Sequence, residues 1–221
     1  MMRKIHIAAA VALAFAGPAG AAASADEVKS LGTTHTPWGA EKAGNKEGTI
    51  PAYTGPVAPP AGFDPKNPGY RPDPFAAEKP LFSIDAKNMD QYAAKLSDGI
   101  KAVMKKYPTY RIDVYPSHRT ANYPKWYLDN TLKNATGGCK TAHDGLLLTG
   151  CFGGLPFAFP KNGSEVMWNR QLKFDASSLM STNMTGTVVD SQGNRTVTGV
   201  GTMWYQYDIF DPARTTVIGD Q

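Results

Sequence analysis

Two cysteines, four histidines and little net charge are all that this 221-residue chain offers to most site chemistry, and each scarcity excludes something. The formal charge is +4, but Arg3 and Lys4 lie in the N-terminal leader, which leaves 21 basic against 19 acidic side chains. That balance, with no basic cluster longer than Lys105-Lys106, argues against a nucleic-acid partner. No apolar run reaches the length of about 18 residues that a membrane-spanning helix needs. His35, His118 and His143 lack metal-ligand spacing, so no metal site is expected. Walker, GxSxG, HExxH and Rossmann fingerprints are all missing, and the GxG at Gly199–Gly201 lacks the rest of its pattern. Ser117-His118-Arg119 with Asp113 has the residue types of a triad, but adjacent Ser and His rarely face each other usefully. The carboxylates are scattered, with no acid/base pair. The expectation is a protein that is not an enzyme and carries no cofactor.

What is present begins with a leader. Arg3 and Lys4 precede the apolar stretch Ile5 to Phe15, Gly17-Pro18 breaks it, and Ala23-Ser24-Ala25 is a small-x-small cleavage pattern. Residues 1–25 therefore read as a signal peptide cleaved after Ala25, with a periplasmic, soluble product. No cysteine lies near the cut, so a lipid anchor is not expected. In an oxidising compartment Cys139 and Cys151 most simply pair. The alternative, a metal held by both with His143 between them, matches no zinc pattern. Four Asn-x-Ser/Thr sequons, at Asn134, Asn162, Asn183 and Asn194, matter only in a eukaryotic pathway, and the short Ala-rich leader looks bacterial.

Proline and glycine are abundant (17 and 22), and they concentrate where hydrophobic period is lost. Residues 26–82 read as an irregular Pro/Gly-rich arm opened by a short helix from Asp26 to Leu31, with Trp38, Ile50 and Tyr53 as anchors. From Pro51 to Pro80 prolines alternate with Tyr53, Phe63, Tyr70 and Phe75, which suggests extended chain pinned by aromatics. A domain is expected over 83–221. Met89, Tyr92, Ala93 and Leu96, then Ile100, Val103, Met104 and Tyr107, follow helical spacing, broken at Ser97-Asp98-Gly99; Ser83 or Asp85 could cap the first helix. Ile112 and Val114 alternate with polar residues as a strand does, and Trp126, Leu128 and Leu132 are read as one face of a second strand, with Asn130 needing a partner. Ser164 is the expected N-cap of a helix to Lys173. Residues 184–210 read as a hairpin turning at Ser191–Asn194, with a bulge near Gly199 and Gly201.

Five stretches carry a resemblance: LGTTHTPWGAEKAGNKEGTIPAYTG (31–55), PDPFAAEKPLFSIDAKNMDQYAAKLSDG (72–99), KKYPTYRIDVYPSHRTANYP (105–124), NTLKNAT (130–136) and GGLPFAFPKNGSEVMWN (153–169). Together they resemble a family of exported Gram-negative proteins, the domain of unknown function thirteen twenty-nine, often labelled outer-membrane lipoprotein-sorting-like. His35 replaces an aliphatic residue and Tyr53 a usual Trp. The resemblance implies an α+β fold: a curved antiparallel sheet, an incomplete half-barrel similar to the lipoprotein carriers, with helices on its concave side. It also implies a carrier for a lipid-like or other apolar ligand, acting with an envelope transporter or outer-membrane protein. Family members are about twice this length, so the chain resembles their N-terminal half, with an exposed last strand expected to lower solubility or drive dimerisation. On this reading Met89, Tyr92, Leu96, Val103 and Met104 face Leu128, Leu132, Met203 and Tyr205 across an apolar cavity, with Phe157, Phe159 and Trp168 at its rim. The competing reading is a non-catalytic envelope scaffold that docks through the Pro/aromatic arm.

Overall fold

The computed structural model describes residues 23–64, 66–67, 71–174 and 179–211. Most of the leader and the last ten residues lie outside them. Helices and strands are mixed, and among the described residues the strands form three separate two-stranded antiparallel sheets, none closed into a barrel. The chain divides into two compact units, one of residues 41–122, the other of residues 23–40 with the described residues from 123 on.

In the 41–122 unit, β1 (Phe82–Asp85) pairs with β2 (Arg111–Val114), setting Ile84 opposite Ile112. The helix expected to begin at Ser83 or Asp85 is therefore a strand there. Asn88 ends it, donating from Nδ2 to the Ser83 carbonyl (2.9 Å) and accepting the Asp85 N–H (2.8 Å). A 3-10 helix, Met89–Lys95, and α2, Asp98–Lys106, follow. Ser97 caps α2, its hydroxyl accepting the Ile100 N–H. Ile84, Met89 and Met104 are buried together, with Tyr92, Leu96, Ile100, Ile112 and Val114 packed around them. The Pro-rich stretch is held by named contacts. The Tyr53 hydroxyl donates to the Ala121 carbonyl, and the Phe75 ring stacks on His118 at 3.8 Å. Glu78 pairs with His118 Nε2 at 2.8 Å. Arg119 donates to the carbonyls of Glu41, Lys42, Ala43 and Pro51, its guanidinium 5.7 Å from the Tyr53 ring.

The other unit opens with α1 (Ala25–Ser30), followed by a turn in which Gly39 has φ +88° and lies so close to Ala158 that a Cβ would meet its carbonyl oxygen at 1.9 Å. Residues 125–133 correct the strand reading. They form α3, Lys125–Lys133, with Tyr127 and Thr131 buried and Leu132 45% exposed. Tyr127, Thr131 and Asn134 recur at helical spacing on the inward face. Thr131 is acceptable there because its hydroxyl donates to the Tyr127 carbonyl and accepts the Leu155 N–H, both at 2.9 Å. Asn130 finds the Gly153 carbonyl. Burial pushes the Tyr127 phenol well above its ordinary range, with Tyr123 adding to the effect. Gly154 lets the chain run against α3, where a Cβ would lie 2.4 Å from the Thr131 nitrogen.

After a turn of π-helix (Asn134–Gly138), β3 (Lys140–Ala142) pairs with β4 (Leu147–Thr149). The Cys139–Cys151 disulfide closes this hairpin just beyond its ends. It is buried with Leu148 beneath Phe157, Trp168 and Leu172. Helix α4 spans Gly163–Gln171; its cap is Asn162, two residues before the expected Ser164. The last sheet is the long hairpin β5 (Leu179–Val189) and β6 (Arg195–Gln206). Its turn is held by the Asp190 carboxylate, which accepts from Gln192 N–H, Asn194 N–H and the Asn194 amide. These bonds, Asn194 foremost, keep that carboxyl below its usual range. The register shifts between Gly186 and Thr187, opposite Gly199 and Val197, which puts a bulge where the strand glycines suggested one. Met203 is half-buried, whereas Val200 and Trp204 are 78% and 68% exposed.

Candidate functional site

An apolar hollow lies where the β3–β4 turn crosses α4. His143 and Asp144 adopt left-handed backbone (φ 49° and 56°), and Gly145 follows at φ +88°. Gly145 is needed, because a Cβ there would lie 2.3 Å from the Ser164 hydroxyl. The α4 side is fixed by its start. Asn162 accepts the Glu165 N–H at 3.0 Å. Glu165 is itself buried, its carboxylate accepting the Lys161 N–H and the Asn162 amide. One turn on, the Trp168 indole N–H donates to the Gly145 carbonyl at 2.7 Å. That bond ties the ring to the β3–β4 turn beside the groove.

The result is an open groove of about 500 Å³ lined by Gly145, Leu146, Gly163, Ser164, Met167, Trp168 and Gln171. Leu146 and Met167 line it and are 75% and 65% exposed. A second hollow of about 480 Å³ adjoins it through Gly145 and Ser164, and its lining includes the polar side chains of Thr141, His143, Asp144 and Asn162. Among the described residues no group of three or more His, Cys, Asp or Glu could hold a metal ion.

Trp168 is the one expected site residue that lines this groove. Phe157 lies under it against the disulfide, and Phe159 packs edge-on to His35 at 5.2 Å. Met89, Tyr92, Leu96 and Met104 are brought together, but as a packed core in the 41–122 unit, with Val103 half-buried on α2. Leu128 and Leu132, expected on a strand, ride on α3. Met203 and Tyr205 share one face of β6, and Met203 borders a hollow of about 380 Å³ with Met184, Gly199 and Gly201. The suggested triad is not assembled: Asp113 accepts from Ser83 and Arg111, and His118 is held by Glu78. Leu146 and Met167 were missed in sequence. The signal for Leu146 was the Leu146-Leu147-Leu148 run, too apolar for a strand that buries only Leu148.

The family model described as "Protein of unknown function (DUF1329)" matches residues 83–221. The chain belongs to the DUF1329 family. This is the family that the five stretches resembled. An uncharacterized protein of Pseudomonas aeruginosa is 44% identical over 160 residues, covering 72% of this chain and 35% of that protein. The match thus spans about a third of the length of that relative. No solved structure matches it. Among the described residues no helix is long and apolar enough to cross a membrane.

Proposed function

We propose that this chain is an exported, periplasmic binding or carrier protein for an apolar, lipid-like ligand, non-catalytic, and acting beside an envelope transporter or outer-membrane protein. The observation that supports it most is the groove at Trp168, with Leu146 and Met167 held open to solvent next to a polar hollow. The groove would take part of an acyl chain, each buried CH₂ contributing about 0.8 kcal/mol, while the Thr141, His143 and Asn162 side meets a polar head. The finer fold belongs to the same proposal: a curved antiparallel sheet, a half-open barrel with helices on its concave side. Support for it comes from β5 and β6, which carry one charge between them, Arg195, and a bulge of the kind that bends sheets. A two-stranded hairpin exposing Val188, Val197, Val200 and Trp204 calls for further partners. Native mass spectrometry of the protein purified from periplasm tests the function. Co-purified lipid is the expected result, and repeatedly ligand-free protein overturns it.

A docking role for the 41–122 unit has its own support. Pro51, Leu81, Phe82, Tyr115 and Pro116 line a hollow of about 490 Å³, with Leu81 65% exposed. Pull-down of an envelope partner that is lost on Leu81→Asp, with lipid absent, would favour this scaffold reading.

A further inference from the structure

The polar hollow beside the Trp168 groove holds side chains that the fold leaves unused. Among the described residues Thr141, His143, Asp144 and Ser164 make no side-chain hydrogen bond or ion pair, and all four line that hollow of about 480 Å³. Their neighbours are engaged: Asn162 caps α4, and the Trp168 indole is tied to Gly145. Thr141 and Ser164 are half-buried, whereas His143 and Asp144 are exposed. A ligand whose chain lies in the groove would bring its head to these groups, because the two hollows share Gly145 and Ser164.

Charge decides which head fits. No Lys or Arg lines either hollow, and Asp144 is the one carboxylate in the two linings. A phosphate or sulfate head would meet no guanidinium or ammonium there and would sit against that carboxylate. The start of α4 does not make up the difference. Its N–H groups ordinarily favour an anion, but the buried Glu165 carboxylate already stands there, accepting the Lys161 N–H at 2.6 Å and the Asn162 amide at 3.0 Å. The Lys161 ammonium is taken by Glu27. Lys140 precedes Thr141 on β3, where alternation sends it to the opposite face. The wider protein does not favour a cation either, with 21 basic against 19 acidic side chains outside the leader. A preference for positive charge would therefore come from Asp144 and its surroundings alone.

We infer that the head of the ligand carries an ammonium group, held by the Asp144 carboxylate with the Thr141 and Ser164 hydroxyls beside it, and that anionic heads are disfavoured. This rests on the apolar-ligand reading above and goes beyond it in fixing the sign of the head.

Calorimetric titration of the full chain with decylammonium, decyl sulfate and decyl maltoside, each below its micelle concentration, puts three heads on the same alkyl chain. At low salt decylammonium is expected to bind about tenfold tighter than decyl sulfate, with the maltoside between them, and the gap should shrink as salt rises. Asp144→Asn should remove the preference while leaving maltoside binding unchanged. Asparagine accepts the left-handed backbone of that position (φ 56°), so the turn survives. Asp90→Asn, at an exposed carboxylate of the 41–122 unit, makes the same change in net charge and should leave the preference intact. Equal affinities for the three heads, or tighter binding of decyl sulfate, overturn the ammonium head and leave the apolar-ligand reading standing. A preference that survives Asp144→Asn overturns the role given to Asp144. Binding of none of the three overturns the apolar-ligand reading and the ammonium head with it.

Discussion

Asn134 grips Phe152 with both ends of its amide, donating to the Phe152 carbonyl at 3.0 Å and accepting the Phe152 N–H at 2.8 Å. The same Nδ2 also donates to the Leu155 carbonyl at 3.1 Å. Asn134 is 3% exposed, so one buried side chain does for this loop what a neighbouring strand would do. Asn134→Ala leaves buried backbone groups without partners and should cost about 2–4 kcal/mol. Chemical denaturation would reveal the loss; a variant as stable as the parent would show that water replaces the amide.

Arg119 should prove irreplaceable by lysine. Its fork reaches four carbonyls of the 41–51 stretch, a geometry that a single ammonium cannot reproduce. Arg119→Lys is expected to lose about 1–2 kcal/mol and to speed proteolysis between Glu41 and Tyr53. Limited digestion followed by peptide mapping would show whether cleavage concentrates there.

Removing the disulfide should destabilise the fold without abolishing it. The Cys139–Cys151 loop spans a separation of 12 residues, and the chain-entropy model gives such a loop about 3 kcal/mol. The double variant Cys139→Ser, Cys151→Ser should match the reduced protein in melting temperature. A reduced protein as stable as the oxidised one would assign the stability of this region to Leu148, Phe157 and Trp168 alone.

The Glu27 carboxyl is held below its ordinary value of 4.5, first by the Lys161 hydrogen bond and next by the Ser24 N–H. A folded-state value below the unfolded one stabilises the protein above pH 4.5, and the stability is lost as pH falls through the folded value. Lys161→Met should therefore be less stable than the parent at pH 7, with the gap closing in acid. Parallel unfolding curves at both pH values would exclude the ion pair as its source.

Met167→Asp tests the groove. Because Met167 is 65% exposed, stability should shift by no more than about 0.5 kcal/mol. Lipid recovered with the protein should fall at least tenfold, on the order of 1.4 kcal/mol. Val166→Asp, on a neighbouring exposed position outside the groove lining, is the control and should leave recovery unchanged.

Residues 126–134 show where reading the chain alone goes astray. Trp126, Leu128 and Leu132 fit a strand face, but Tyr127, Thr131 and Asn134 fit a helix equally well. Nine residues are too few for the period to decide. The helix wins because Thr131 and Asn134 can be buried only if Phe152 and Leu155 supply their partners, and those lie about twenty residues away. The stretch from Ser83 fails for a related reason: Ile84 is drawn into pairing with Ile112, and Asn88 then turns the chain before a helix can start. The groove was half legible. Trp168 stood out, but Leu146 and Met167 meet only because Gly145 permits the turn to lie on α4.

The sequence by itself determined what depends on near neighbours: the hairpin with its turn and bulge, the helix at α4, and the motifs that mark the DUF1329 family. In each, the residues that bond or pack are within a few positions of one another, so composition and period carry the information. Tertiary structure decided the rest: which face of α3 turns inward and which carbonyls Arg119 gathers. Those outcomes turn on partners many residues distant, such as Lys161 for Glu27. A buried polar group or an ion pair takes its energy from whatever finally lies against it.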